Sequence, residues 1–361
     1  MTSEKQLLKG NIAIASAALK AGCSCYFGYP ITPQTEIGEF LAQEMPKRNL
    51  GYVCAESEIG AINMALGAAS VGAKVMVSSS SCAVGLMQET FSYAASDELP
   101  LVLVNVMRAG PGQGYIYPSQ GDYNQATVGG GNGDYRTIVL APSTVQECID
   151  MTYRVFYLAH KYKNPAILLL DGMLGQMAEG AILSENPYPE IDNSSWALSG
   201  ANDRPSRNIH SLEPNQDFLN RHIFNLKNKY ETIMANEVDW EEYKTEDAEV
   251  IITAFGSIAR SAKAVCDNYR EDGIRFGLIR PKTLWPFPHR RLRELAHHAK
   301  LFIDIEMNMG QMLNDVRHAL PTDTQITFVG KPVGNWLKKE EMINVIDEIL
   351  RKYYGKFDNN I

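Results

Sequence analysis

Cysteines spaced to hold a metal cluster are missing from this 361-residue chain. Its six cysteines are Cys23, Cys25, Cys54, Cys82, Cys148 and Cys266, with no C-x-x-C pair and no C-x₂-C-x₂-C run. That spacing gives the chain no iron–sulfur cluster of its own, and the thiols read as small buried side chains. Cys23 and Cys25 alternate in "CSCYF" and so share one side of a strand. Long apolar runs are missing too: "AILLL" is far too short to cross a bilayer. The opening "MTSEKQLLKGNIAIASAALKAG" reads as an amphipathic helix rather than a signal peptide, so a soluble cytoplasmic protein without membrane contact is expected. Basic charge is not in excess, with 34 Lys and Arg against 42 Asp and Glu and a net charge of −8. This gives no electrostatic reason to expect nucleic acid. Nucleotide fingerprints are absent as well, because "GGGNGDY" (Gly129–Tyr135) does not lie directly between a strand and a helix. Nor do Asp134 and Asn164 make a metal–diphosphate motif, since Tyr135 stands where glycine is required. There is no internal repeat.

What the chain does have is strand–helix alternation. "CSCYFGYP", "GYVCA", "AKVMVSS", "LPLVLVNVM", "RTIVLAP" and "PAILLLDG" are short β-rich runs. Helical patterns near Gln34–Met45, from Ser57, near Val84–Ser96 and near Thr144–His160 separate them. Apolar, two-sided strands in this rhythm imply a doubly wound parallel α/β sheet over residues 1–185. Residues 186–247 break the rhythm with a Pro-, Asn- and Ser-rich linker, then a charged stretch from "FLNRHIF" to "DWEEYK" that reads as an exposed helix. A smaller α/β domain over 248–361 follows, with strands in "AEVIITAFGS", "IRFGLIRP" and "AKLFIDIEMN". Helical patterns lie over Ala259–Tyr269, near Pro288–His298 and near Gln311–Ala319.

Ligands of parallel sheets bind at the carboxyl ends of the strands. In the first domain those ends read "YPITP" (Tyr29–Pro33), "ESE" (Glu56–Glu58), "SSSS" (Ser78–Ser81), "RAGPGQG" (Arg108–Gly114) and "DG" (Asp171–Gly172). Acids, one cation, a hydroxyl patch and two Gly/Pro turns therefore gather on one edge. Each has an ordinary alternative. A glutamate at a helix start gains about 0.3–1 kcal/mol from the helix dipole, and serines after a strand commonly bond their own turn.

These residues carry a family resemblance. "GYPITP", "AESEIGAINMALGAA", "SSSS…GLMQE", "ELPLVLVNVMRAGPG" and "GGGNGDYR", continuing through "DGMLGQM" and "LIRPKTLWPFP", resemble the alpha subunits of 2-oxoacid:ferredoxin oxidoreductases. The likeness is greatest to the 2-ketoisovalerate (3-methyl-2-oxobutanoate) type and covers nearly the whole chain. It implies a thiamine-diphosphate pyrimidine-binding domain followed by a transketolase C-terminal-like domain. The activity implied is oxidative decarboxylation of a 2-oxo acid to acyl-CoA and CO₂, with reduction of ferredoxin. It further implies a beta subunit that binds the diphosphate and Mg²⁺, a gamma subunit, and a ferredoxin-like delta subunit carrying [4Fe–4S] clusters.

Residue by residue, the "SE-x-G-A" pattern makes Glu58 the acid against the pyrimidine N1′, with Glu56 the alternative. A buried carboxyl favours its protonated form, which suits proton exchange with a ring nitrogen. Thr32 and Arg108 match residues that contact the substrate carboxylate, and an arginine can pair with a carboxylate bidentately. Tyr29, Pro30 and Ser81 are expected to shape the pyrimidine pocket. Cys82 departs from the family, where proline or another small residue is more usual. A pocket walled by apolar groups alone would suit branched acids, and an extra Arg or Lys would suit 2-oxoglutarate. Pyruvate is a further candidate, and a non-catalytic scaffold subunit remains the alternative outside enzyme chemistry.

Overall fold

The computed structural model describes residues 4–334 and 338–354. Its first strands are β1 (Gln6–Lys9), β2 (Cys25–Gly28), β3 (Gly51–Cys54), β4 (Val75–Ser79), β5 (Val102–Ala109), β6 (Tyr115–Pro118), β7 (Ile138–Leu140), β8 (Ala166–Asp171) and β9 (Ala178–Ala181). Then come β10 (Trp240–Tyr243), β11 (Val250–Thr253), β12 (Phe276–Pro281), β13 (Thr283–Trp285), β14 (Leu301–Glu306) and β15 (Gln325–Gly330).

The large sheet runs β13-β7-β8-β5-β4-β2-β3, with β6 hung on β5. All neighbours from β7 to β3 are parallel, while β13 and β6 pair antiparallel. β5 shows why a parallel sheet forms here: Val102, Val104 and Val106 pack on one face and Leu103 and Met107 on the other, so both faces are covered. Helices Gly10–Lys20, Thr35–Glu44 and Val145–Tyr162 cover the first face, and Glu58–Ser70 and Gln88–Ser96 the second. The smaller sheet, β10-β12-β11-β14-β15, is parallel except for β10.

Several local readings are corrected. The opening segment starts as β1, antiparallel to β9, and its helix from Gly10 is largely buried rather than amphipathic on a surface. Tertiary pairing with β9 overrides the local pattern. The pattern near Val84–Ser96 splits into Cys82–Gly85 and Gln88–Ser96. In the charged stretch the helix ends at Asn236, and "WEEY" is β10, an edge strand of the smaller sheet. Cys23 and Cys25 face opposite cores, because β2 begins only at Cys25 and the alternation does not reach back to Cys23.

The two domains share one core on the second face, where Ile251, Phe255, Phe302 and Met312 join Val77, Phe91 and Leu103. Polar pins cross the same boundary. Gln120 is fully buried, and its backbone N–H and side chain bond the backbones of Met307 and Phe255 while its carbonyl accepts from Asn308. Arg280, 1% exposed, bridges Glu147 at 2.5 Å and Glu241 at 2.8 Å. Asp171 accepts from Met173 and Leu174 at the start of its helix and from Ser257 across the boundary.

Beneath these pins lies a fully buried acid pair. Glu306 accepts the backbone N–H groups of Met312 and Leu313 and the amide of Asn308. Burial, and then the Glu306 carboxylate beside it, hold the Asp304 carboxyl well above its ordinary value, against smaller opposing effects of Thr253 and Arg317. Asp304 therefore stays protonated when folded and ionises near pH 4 when unfolded. The folded state binds the extra proton, so this contribution falls as pH rises above about 4, by up to about 1.4 kcal/mol per pH unit. Asp304→Asn removes that loss. Its melting temperature should exceed wild type at pH 7, with the difference shrinking as pH falls toward about 4, in melts recorded across that range. An equal deficit at every pH would contradict a raised Asp304 carboxyl in the folded state.

Candidate active site

The carboxyl edge of the large sheet orders the candidate residues by strand. Glu58 follows β3, the Tyr29–Pro33 loop follows β2, Ser81 follows β4, and Arg108 lies near the end of β5. At about 4.8 Å per strand, Glu58 and Arg108 stand three steps, about 14 Å, apart along the edge.

The two glutamates separate clearly. Ser57, in extended backbone, caps helix Glu58–Ser70 by accepting the Gly60 N–H at 3.1 Å. Its hydroxyl lies 3.0 Å from Glu56, whose carboxylate folds back over the first helical turn. A Cβ at Gly60 would collide with that carboxylate, so glycine there makes room for it. Glu56 thus behaves as part of the helix start. Glu58 is half-buried, and its carboxylate takes no hydrogen bond or ion pair among the described residues. Around it the edge is apolar and exposed through Tyr29, Val53, Ile59 and Met64. The dry pocket expected for this acid is therefore only half built by this chain.

Tyr29, Pro30 and Thr32 lie exposed on their loop. What fixes that loop is a buried relay: Tyr26 and Ser78 hydroxyls meet at 2.7 Å, Ser78 donates to Gln34 at 2.5 Å, and Gln34 donates to the Tyr29 carbonyl at 3.3 Å. Arg108 holds the far end of the loop through Nη1 to the Thr32 carbonyl at 3.0 Å. Thr32 and Arg108, paired by the sequence reading, are thus in contact.

Arg108 is 8% exposed. Its Nη2 donates to Cys82 Sγ at 3.1 Å and to the Gln113 carbonyl at 3.0 Å, while Nε is buried without a partner. All these acceptors are neutral, and a buried donor without a partner costs about 1–3 kcal/mol. A cation held this way suits an anionic ligand. The departure at Cys82 gains a meaning here, because the thiol sulfur accepts from the guanidinium.

Ser81 is placed differently from the expectation that it lines a pyrimidine pocket. It is buried, with φ +39°, a conformation that costs a non-glycine residue about 1–3 kcal/mol. Its hydroxyl lies 2.6 Å from Asp122 Oδ2 and 3.0 Å from the Arg108 carbonyl, and accepts the Arg108 N–H at 2.8 Å. Its own N–H bonds Asn105, whose amide also donates to Asp122. Burial pushes the Asp122 carboxyl up, against the bonds from Ser81 and Asn105 and the charge of Arg108. Sequence reasoning missed Asn105, Asp122 and Gln34. Only Asn105 left a trace, as the one polar residue inside "LVLVNVM". In "GGGNGDY" the Gly130 and Gly131 N–H groups are taken by Gln88 and Tyr135. Ser81→Ala leaves Asp122 and the Arg108 N–H short of a partner and should cost about 1–3 kcal/mol, read by chemical denaturation. A loss under 0.5 kcal/mol, within the scatter of surface substitutions, would show that the clamp carries little.

Comparisons with known proteins identify the family and the fold. The thiamine-diphosphate-binding region of pyruvate flavodoxin/ferredoxin oxidoreductases matches residues 16–250, and core domain II of pyruvate:ferredoxin oxidoreductase matches residues 248–342. Ketoisovalerate oxidoreductase subunit VorB of Methanothermobacter marburgensis is 45% identical, over 95% of this chain and 97% of its own length. 2-Oxoglutarate synthase subunit KorA of Methanothermobacter thermautotrophicus is 33% identical, over 95% of this chain and 98% of its own. Among solved structures, the 2-oxoglutarate:ferredoxin oxidoreductase from Magnetococcus marinus superposes with a TM-score of 0.83 at 26% identity. That match covers 96% of this chain but 65% of the other, less than two thirds of its length. A split-gene transketolase, at 13% identity and a TM-score of 0.58, shares the fold. The chain belongs to the 2-oxoacid:ferredoxin oxidoreductase family, and its residues 16–250 are that family's thiamine-diphosphate-binding domain.

Proposed function

We propose that this chain is the alpha subunit of an enzyme that oxidatively decarboxylates a branched 2-oxo acid, 2-oxoisovalerate first, to acyl-CoA and CO₂ with reduction of ferredoxin. The observation that carries the reading is the pairing along one sheet edge of an unpartnered carboxylate, Glu58, with a buried guanidinium held by neutral acceptors, Arg108. The branched substrate is favoured by the 45% identity to a ketoisovalerate oxidoreductase subunit.

When bound, thiamine diphosphate supplies a carbon nucleophile and an electron sink for the carboxyl carbon. The residues present fit it: Glu58 offers a free carboxyl at a helix start, and exposed Tyr29 and Pro30 flank it on the next strand. Glu58 holds or releases a proton at the pyrimidine N1′. Arg108 and Thr32 orient the substrate carboxylate by charge and by hydroxyl donation. Asp122, through Ser81, keeps Arg108 in register. The described residues leave Glu58 half-buried and occupy the Gly129, Gly130 and Gly131 amides of "GGGNGDY" within this chain. Both features suit a beta chain that closes the pocket and brings the diphosphate contacts with Mg²⁺, beside gamma and ferredoxin-like delta subunits with [4Fe–4S] clusters. No helix among the described residues is long and apolar enough to cross a membrane, and a cytoplasmic site fits the free thiols.

Dye reduction by the co-produced, anaerobically purified complex tests this, with coenzyme A and 2-oxoisovalerate, 2-oxoglutarate or pyruvate. Glu58→Gln should lower kcat by about 100-fold or more, the scale of one proton-transfer group. Arg108→Lys, which loses the bidentate fork, should raise KM for the 2-oxo acid by about tenfold. An active complex indifferent to Glu58→Gln would remove Glu58 from the chemistry.

A further inference from the structure

We infer that the cleft beside Thr32 holds the side chain of the 2-oxo acid, and that Glu36 and Glu39 at its rim select an uncharged branched side chain over one ending in a second carboxylate. The inference rests on the function proposed above and adds the residues that decide between substrates. The cleft measures about 890 Å³ and lies against Thr32 and the first residues after β8. Along the edge, the strand order β3-β2-β4-β5-β8 places Glu58 three steps to one side of Arg108, and Gly172 and Met173 one step to the other. Thr32 both lines this cleft and accepts from Arg108 at 3.0 Å, so a substrate whose carboxylate meets Arg108 and Thr32 lies at the mouth of the cleft, and the side chain on its reacting carbon can enter toward Met173.

The walls there are Pro33, Ile116, Pro118, Met173 and Met177, and among the described residues no lysine, arginine or histidine lines the cleft. Two thioether side chains adapt to differently branched shapes, and the volume admits isopropyl, isobutyl and sec-butyl groups alike. Glu36 is anchored at the rim by Asn11 at 2.7 Å and Gln176 at 2.8 Å. Burial works against its charge, but the bonds from Asn11 and Gln176, a backbone hydrogen bond and the charge of Lys9 together hold its carboxyl below the ordinary value. Glu39, exposed one turn further along the helix, takes no hydrogen bond or ion pair among the described residues. The nearest cations are already paired: Lys9 lies 3.5 Å from Glu36, and Arg260, which touches Met177, is held by Glu179 at 2.5 Å. A second substrate carboxylate entering this cleft would meet two like charges and no free cation, which repels it.

Glu39→Arg and Ile116→Trp in the co-produced complex test the inference, with kcat/KM measured for 2-oxoisovalerate, 2-oxoglutarate and pyruvate and assembly followed by size exclusion. Glu39→Arg should raise kcat/KM for 2-oxoglutarate by about tenfold, the effect of replacing one repulsive pair with an attractive one across a partly solvated site. The readout is the ratio of 2-oxoglutarate to 2-oxoisovalerate kcat/KM, which should rise by about tenfold. Ile116→Trp, which narrows the cleft, should lower 2-oxoisovalerate about tenfold and spare pyruvate, whose side chain is one methyl. Unchanged ratios in assembled complexes of both variants would overturn the inference while leaving the enzyme reading intact. Loss of assembly in both variants, with wild-type ratios in the fraction that assembles, would overturn it by making the cleft a subunit contact. A wild-type complex inert to every 2-oxo acid would overturn the function it rests on, and the inference with it.

Discussion

Everything at this sheet edge depends on one joint, the hydroxyl of Ser81 seated between the backbone of Arg108 and the carboxyl of Asp122. The chain leaves β4 through a serine in left-handed backbone, and that conformation persists only where surrounding bonds over-determine it. Four hydrogen bonds do so here. They lock the turn after β4 to the strand that carries the guanidinium, and the guanidinium in turn holds the Thr32 loop. Position is thereby passed across three strands without a long side chain having to find its own place. A loosely held arginine would lose rotamer freedom each time it bound a carboxylate, whereas a buried, pre-oriented one has already lost it on folding.

The second domain supports the same edge from behind. Gln120, a few residues beyond the hairpin strand β6, is fixed entirely by backbone and amide groups of the smaller sheet's far end. Tyr123, on the next helix, donates to Asp315 at 2.6 Å. The Asp122 carboxyl that orders Ser81 sits between these two anchors. Strand β13, donated from the C-terminal half, closes the far side of the large sheet. The smaller domain is therefore a brace for the site, and its own buried acids, Asp304 and Glu306, stand directly under the residues it offers as anchors.

Periodicity made most of the fold legible. The two-sided valine and leucine runs of β4, β5 and β8 and the helical patterns between them needed no partner information, and the strand ends followed from them. Part of what escaped was set by pairing between distant segments: β1 with β9, β10 with β12 and β13 with β7 are antiparallel edge pairs whose short sequences carry little pattern of their own, and the parallel edge strand β15 and the helix Lys339–Tyr354 escaped too. The site divided in the same way. Thr32 and Arg108 were named through the family resemblance, and the structure places the guanidinium on the Thr32 carbonyl. The distinction between Glu56 and Glu58 needed coordinates, since it turns on Gly60 leaving room for one carboxylate to fold back. The role of Ser81 was unreadable, because nothing in four consecutive serines announces which one takes a positive φ.

The central claim is that Arg108 and Thr32 fix the substrate carboxylate at the mouth of the cleft lined by Ile116 and Met173, on the sheet edge that also carries Glu58. A cryo-electron microscopy structure of the assembled complex with 2-oxoisovalerate, trapped with Glu58→Gln, tests it most directly. The substrate carboxylate is predicted within hydrogen-bond distance of Arg108 and Thr32, with its isopropyl group toward Met173 and Ile116. A carboxylate bound elsewhere, with Arg108 still held only by Thr32, Cys82 and Gln113, would contradict the account.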